Sequence, residues 1–184
     1  MRESFEKVRE PVNPFRAAVL SVLMGVLPAT AEAALPDCHG IRSNPVPTES
    51  VRLEDGDKAE VVCIVDGDTF DARLSDGQIL RIRIWGVDCP ESREQIEKCQ
   101  KKGAERCKEE VQRGKKAKEL TRNLLAGAKI TLSGKFANIK HRKQAYVSVQ
   151  GKDLGLALIR SCQCEEKYDH PSKDVYQEAA KVCR

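Results

Sequence analysis

Between Lys58 and Trp85 the chain passes through three short apolar segments joined by corners that leave room for little but antiparallel hairpins. Lys58 to Val65 is β-branched and apolar, "DGD" turns it, and Thr69 to Leu74 returns. "SDGQ" makes the next corner and Ile79 to Trp85 the third strand. Asp-Gly pairs flanked by such runs are a hairpin signal, because glycine supplies the positive φ that tight turns require. In "RIRIW" the two-residue period puts Ile82 and Ile84 on one face and Arg81, Arg83 and Trp85 on the other. One face of this meander therefore feeds a core and the other carries charge. "GVDCPES" then breaks the sheet, since Pro90 has no N–H to give a ladder.

A strongly basic stretch follows and settles into a helical pattern from about Glu109 to Ala126, with Val111, Leu120, Leu124 and Leu125 on its apolar stripe and Gly127 as its stop. Lys129 to Phe136 and Ala145 to Val149 read as strands four and five. Short helices are expected over Leu154 to Arg160 and Val175 to Cys183. Five strands with a helix between the third and fourth is the order of an OB-type barrel. The expected fold class is α+β: a five-stranded OB-fold β-barrel with about three helices.

The first residues read differently. Ala17 to Leu27 is an uncharged apolar run, shorter than the ~20 residues of a bilayer span. Arg16 precedes it and "PATAEAAL" follows with small residues at A-x-A spacing, the pattern of a secretory signal cut after Ala33. The expected layout is a signal peptide over 1–33, a flexible lead-in rich in Pro, Ser, Asp and Glu over 34–57, and the barrel domain over 58–184. All 8 cysteines lie beyond the proposed cut. Cysteines of even number in an exported domain favour disulfides, and zinc would ask for C-x-x-C pairs that this chain lacks. Cys99 with Cys107, and Cys183 with Cys162 or Cys164, are the pairs spacing suggests. The expected product is a monomer, secreted or periplasmic, with no membrane association once the signal is removed.

The charged residues at the corners carry the chemistry. Asp68 sits at the first corner, Asp88 and Glu91 just past strand three, Arg83 at that strand's end and Arg142 before strand five. Carboxylates gathered at one end of a small barrel repel unless a hard divalent cation with oxygen ligands neutralises them, and calcium tolerates irregular geometry. Carboxylates, arginines and calcium together suit phosphodiester hydrolysis. One carboxylate takes a proton from water, the metal polarises a phosphoryl oxygen, and forked guanidinium donors hold transition-state charge. Taken alone, Asp66 and Asp68 would be the polar corner of a hairpin, and Asp66 keeps that structural reading.

"IVDGDTF", "RIWGVDCPE" and "HRKQAYV" resemble, in order and spacing, the motifs of the staphylococcal nuclease (thermonuclease) family. The resemblance spans roughly Lys58 to Cys183. It implies that Asp68 and Asp88 bind calcium together with the backbone carbonyl of Cys89. It further implies that Glu91 is the general base and that Arg83 and Arg142 hold the phosphate. DNA and RNA are the implied substrates, cut to leave 3′-phosphates. Three positions depart from the pattern. Cys89 replaces the usual Thr or Ala, His141 replaces the Gly before the third-motif arginine, and Lys140 stands where a Tyr is common. Tyr168 is the weak match to an aromatic that the family places near its last helix.

Two other readings compete. A non-catalytic OB-fold module would bind nucleic acid or protein, but such modules lose one or more of the charged positions that this chain retains. A disulfide-rich interaction protein would show no calcium response. The aromatic content of 4% leaves few stacking surfaces, which argues against a dedicated single-strand binder. The basic run from Lys98 to Lys118 reads first as a solvated helix face, His141 and His170 as surface residues, and Trp85 as packing.

Overall fold

Burial alternates along Ile79–Ile84 and separates the inside of the barrel from its outside: Leu80, Ile82 and Ile84 are buried, whereas Arg81 and Arg83 are only partly covered. The computed structural model describes residues 34–39, 44–93, 103–134, 136–139, 141–167 and 170–183. The expected signal segment 1–33 lies outside them. In chain order the strands are β1 (Lys58–Asp66), β2 (Thr69–Leu74), β3 (Ile79–Ile84), the short β4 (Val87–Asp88), β5 (Lys129–Ser133), β6 (Asn138–Ile139), β7 (Arg142–Val149), β8 (Lys152–Asp153) and β9 (Glu165–Glu166). The helices are α1 (Ala104–Leu125), α2 (Leu154–Arg160) and α3 (Lys173–Ala180).

The meander forms as its corners dictate. β1 pairs β2 and β2 pairs β3, both antiparallel, and β1 continues through β5 to β7. β3 then lies parallel to β7, with Ile82 opposite Lys143 and Ile84 opposite Ala145, which closes a five-stranded mixed barrel. The fold is the expected α+β OB barrel with three helices. Phe70, Ile64, Leu80, Ile82, Ile130 and Leu132 fill it without measurable exposure. Each such side chain contributes ~1.5–3 kcal/mol on leaving water.

Several boundaries shift, among them the last helix, which runs over Lys173–Ala180 where Val175 to Cys183 is expected, and three of the shifts have a local reason. β7 begins at Arg142, earlier than the expected Ala145, and its second residue is a buried lysine. The Lys143 ammonium is tolerated inside because it donates to the carbonyls of Thr48 and Val51 and to Asn138 Oδ1, at 3.1, 2.9 and 2.9 Å. β5 stops at Ser133 because Gly134 takes a φ of 108°. α1 starts at Ala104, five residues before the expected Glu109, after Gly103 at φ 86°.

The lead-in expected to be flexible is tied to the barrel at several points. Cys38 is bridged to Cys63, Asp37 makes a parallel bridge with Ile64, and Val51 and Leu53 are buried in the core. Two further disulfides join Cys89 to Cys164 and Cys162 to Cys183. Cys183 thus takes Cys162, the first of its two expected partners. Cys107 is also disulfide-bonded, while its expected partner Cys99 lies outside the described residues. Such bridges persist in an oxidising compartment. Among the described residues, no helix is long and apolar enough to cross a membrane.

Candidate active site

The corner between β1 and β2 places Asp68 at the barrel's mouth. Its backbone carbonyl accepts from Ile84 N at 2.9 Å, which pins the corner to the end of β3. Asp68 is 2% exposed and surrounded by donors. Thr69 Oγ1 donates to Oδ1 at 2.7 Å, Cys89 N to Oδ2 at 2.9 Å, and Arg83 reaches both oxygens at 3.1 and 3.0 Å. Burial pushes the Asp68 carboxyl above the ordinary aspartate range. The Arg83 charge and the Cys89 and Thr69 hydrogen bonds pull the other way.

Arg83 also donates to Asp88 Oδ1 at 2.7 Å, so one guanidinium spans both carboxylates. Lys167 Nζ holds the other Asp88 oxygen at 2.5 Å. Asp88 is fixed from behind as well, because β4 pairs with β9 and Cys89 is bridged to Cys164. The cysteine that departs from the family pattern therefore carries a disulfide sulfur, and its N–H supports Asp68. Glu91 follows on the same segment. Ser92 anchors that segment by donating from both its N–H, at 3.3 Å, and its hydroxyl to Asp66 Oδ1. Asp66 thus has the structural role expected of it.

Asp68, Asp88, Cys89, Glu91, Arg83 and Arg142 all line one cavity of about 330 Å³. The same cavity is walled by Asp66, Thr69, Arg81 and His141, none of which the sequence singles out as a site residue. Arg81 had a visible signal, since it shares the outer face of β3 with Arg83. Asp66 and His141 had only their proximity to the motifs. His141 is exposed, as expected, and sits at φ 62°, in the left-handed region that favours glycine. That conformation explains why the resembling motif carries Gly here. His170 is instead buried: its Nδ1 lies 3.0 Å from the Tyr146 hydroxyl and its ring 4.8 Å from that of Tyr176. Trp85 stacks on Tyr146 with ring centroids 5.2 Å apart, as packing. Lys143 cannot replace Arg142, because its ammonium is committed to the carbonyls named above. Lys140 and Tyr168 lie outside the described residues.

The donor set fits a hard divalent cation. Four carboxylates face three guanidinium groups in this cavity, and the oxygens on offer are those that hard cations take. Asp68, Asp88 and Glu91 do not form a tight triad. Among the described residues the one group of three potential ligand side chains within 4.8 Å of one another is Cys38, Cys63 and Asp71, and there the two sulfurs are bonded to each other.

No curated protein matches the chain. The model of a protein family does, over residues 81–182, a span that takes in Arg83, Asp88, Cys89, Glu91 and Arg142 and begins after Asp68. With more than half of its length matched and its strands closed into a barrel, the chain belongs to the staphylococcal nuclease homologue family, a family of nuclease-type hydrolases that use a divalent metal.

Proposed function

We propose that the protein is a calcium-dependent, sugar-nonspecific nuclease. It hydrolyses phosphodiester bonds of DNA and RNA and leaves 3′-phosphates, acting as an exported monomer. What supports this reading above all is that the assigned acids and both assigned arginines line a single cavity. Asp68 and Asp88, with the Cys89 carbonyl, would hold calcium. The ion supplies a positive centre that polarises a phosphoryl oxygen.

The chain's own residues do the rest. Glu91 accepts a proton from a water molecule, whose oxygen attacks phosphorus in line with the 5′-oxygen. That bond breaks, the 5′-oxygen takes a proton from solvent, and the phosphate stays on the 3′ side. Arg83 and Arg142 donate to the non-bridging oxygens as charge builds on them. Because these contacts address the backbone, sequence preference is slight. Retention of every charged position favours this over a non-catalytic module.

A plasmid-nicking assay tests the proposal. Nicking is expected with calcium and not with chelator, and Glu91→Gln should lower turnover by ~10²–10⁴ while leaving nucleic-acid binding in place. Cleavage that ignores chelator, or that survives Glu91→Gln, overturns the assignment.

A further inference from the structure

Arg81 lines the same cavity but has no part in the roles given above. It precedes Arg83 by two residues on the outer face of β3. Its guanidinium is clamped in a forked pair, Nε to Asp71 Oδ1 at 2.7 Å and Nη2 to Asp71 Oδ2 at 2.9 Å. The two residues face each other in the β2–β3 register, and the Asp71 carboxylate lies within 4.8 Å of the Cys38–Cys63 sulfurs. Asp71 is wholly buried, yet the Arg81 side chain remains 32% exposed. Here the acid is hidden and the base is presented to the cavity.

We infer that Arg81 anchors the phosphate next to the scissile one on a nucleic-acid strand lying across this face. The inference rests on the nuclease reading and adds a subsite to it. Two strand residues advance about 6.6 Å, a distance comparable to the step between successive phosphates of an extended strand. Arg83 at the reacting phosphate and Arg81 at its neighbour therefore match the repeat of the polymer. The clamp uses Nε and Nη2 and leaves Nη1 for a phosphate oxygen. Because Asp71 already fixes the guanidinium, little side-chain freedom is lost when the strand arrives. The charge balance points the same way. Asp66, Asp68, Asp88 and Glu91 line the cavity, and a second phosphate entering it meets repulsion unless a cation faces it. The site then prefers substrates with at least two consecutive phosphates over a lone diester.

Thymidine oligonucleotides carrying one or two phosphodiesters are the probes. Their binding is measured by fluorescence anisotropy in calcium, on the full chain bearing Glu91→Gln. The second phosphate is expected to tighten binding about tenfold, the scale of one charged hydrogen-bonded contact. Adding Arg81→Gln should cut that gain to twofold or less and lower the salt slope of the two-phosphate probe by about 0.7. Arg81→Lys keeps a charge against Asp71, so its melting temperature should fall less than that of Arg81→Gln, but it loses the fork that fixes the side chain and should lose most of the gain. An undiminished second-phosphate gain in both variants overturns the subsite. So does an equal loss on the one-phosphate probe, which would mean that Arg81 acts at the scissile phosphate or through the fold. Failure of the nuclease reading looks different: the calcium-loaded wild type leaves plasmid intact, while the dependence of binding on phosphate number still tracks Arg81.

Discussion

A side-chain carbon on Gly114 would stand 2.3 Å from the carbonyl oxygen of Glu91 and 2.6 Å from that of Pro90, so α1 rests with bare backbone on the segment that bears the proposed base. Alanine normally gains ~1 kcal/mol over glycine within a helix. Here the added methyl meets main chain that cannot swing aside, and such overpacking costs ~1–3 kcal/mol. Gly114→Ala should therefore lower the melting temperature by about 2–6 °C. It should also reduce kcat more than it weakens nucleic-acid binding, because Glu91 is pushed from its place. Calorimetry with steady-state kinetics checks this; a higher melting temperature with unchanged kcat would refute the close packing.

Arg83 bridges Asp68 and Asp88, and Asp68 is buried. Arg83→Met removes the guanidinium and leaves a desolvated carboxylate without its partner, a change that costs ~3–5 kcal/mol when a buried pair is broken. A cation at the same carboxylates replaces the missing charge. Thermal unfolding should consequently show a larger calcium-induced rise for Arg83→Met than for the wild type, through the usual linkage between binding and stability. Equal shifts would detach these acids from the metal.

The Cys89–Cys164 and Cys162–Cys183 bridges share adjacent anchors near Cys164 but have different tasks. Replacing either pair by serine should cost ~2–4 kcal/mol of stability. Only the Cys89/Cys164 double variant should also weaken calcium binding, because Cys89 N supports Asp68 and Asp88 is its neighbour. Calcium titration by isothermal calorimetry separates the two. Identical calcium affinity in both variants would contradict a positioning role for Cys89–Cys164.

Asp37 provides the pH test. Burial would raise its pKa. The Lys118 ammonium at 2.6 Å, the His39 N–H and the nearby positive charge outweigh burial, and the carboxyl is held below the usual aspartate value. A depressed folded-state pKa means that the unfolded chain binds the proton first. The contribution is present in full above the ordinary value of about 3.9 and is lost as pH falls through the lower folded one. Its size is modest, since the Asp37 side chain is 40% exposed and screened. Acid unfolding followed by circular dichroism should be less steep below about pH 4 for Asp37→Asn than for wild type. Superimposable profiles would exclude this ion pair as a source of acid sensitivity.

Much of the barrel is legible in the sequence because its strands carry a two-residue period and their corners carry Asp-Gly. The N-terminal turn of α1 is not, since in Ala104–Lys108 only Cys107 is buried and no apolar stripe can show. The start of β7 is hidden for a related reason: Lys143 looks like a loop charge until the carbonyls of Thr48 and Val51 are known to receive it. Likewise His141 gives no hint of its left-handed backbone, and His170 none of its burial.

The meander, the alternation that turns Arg81 and Arg83 outward, and the order of acids and arginines along the motifs are all legible in the chain's local pattern. These are local properties, readable within a few residues because the pleat and the turn impose them. That Arg142 reaches the cavity of Arg83, that Cys89 takes Cys164, and that Arg81 is clamped by Asp71 emerges only in the folded barrel. Those facts depend on the parallel β3–β7 closure and on segments far apart in the chain meeting in one register. Periodicity within a strand is blind to which distant strand will lie beside it.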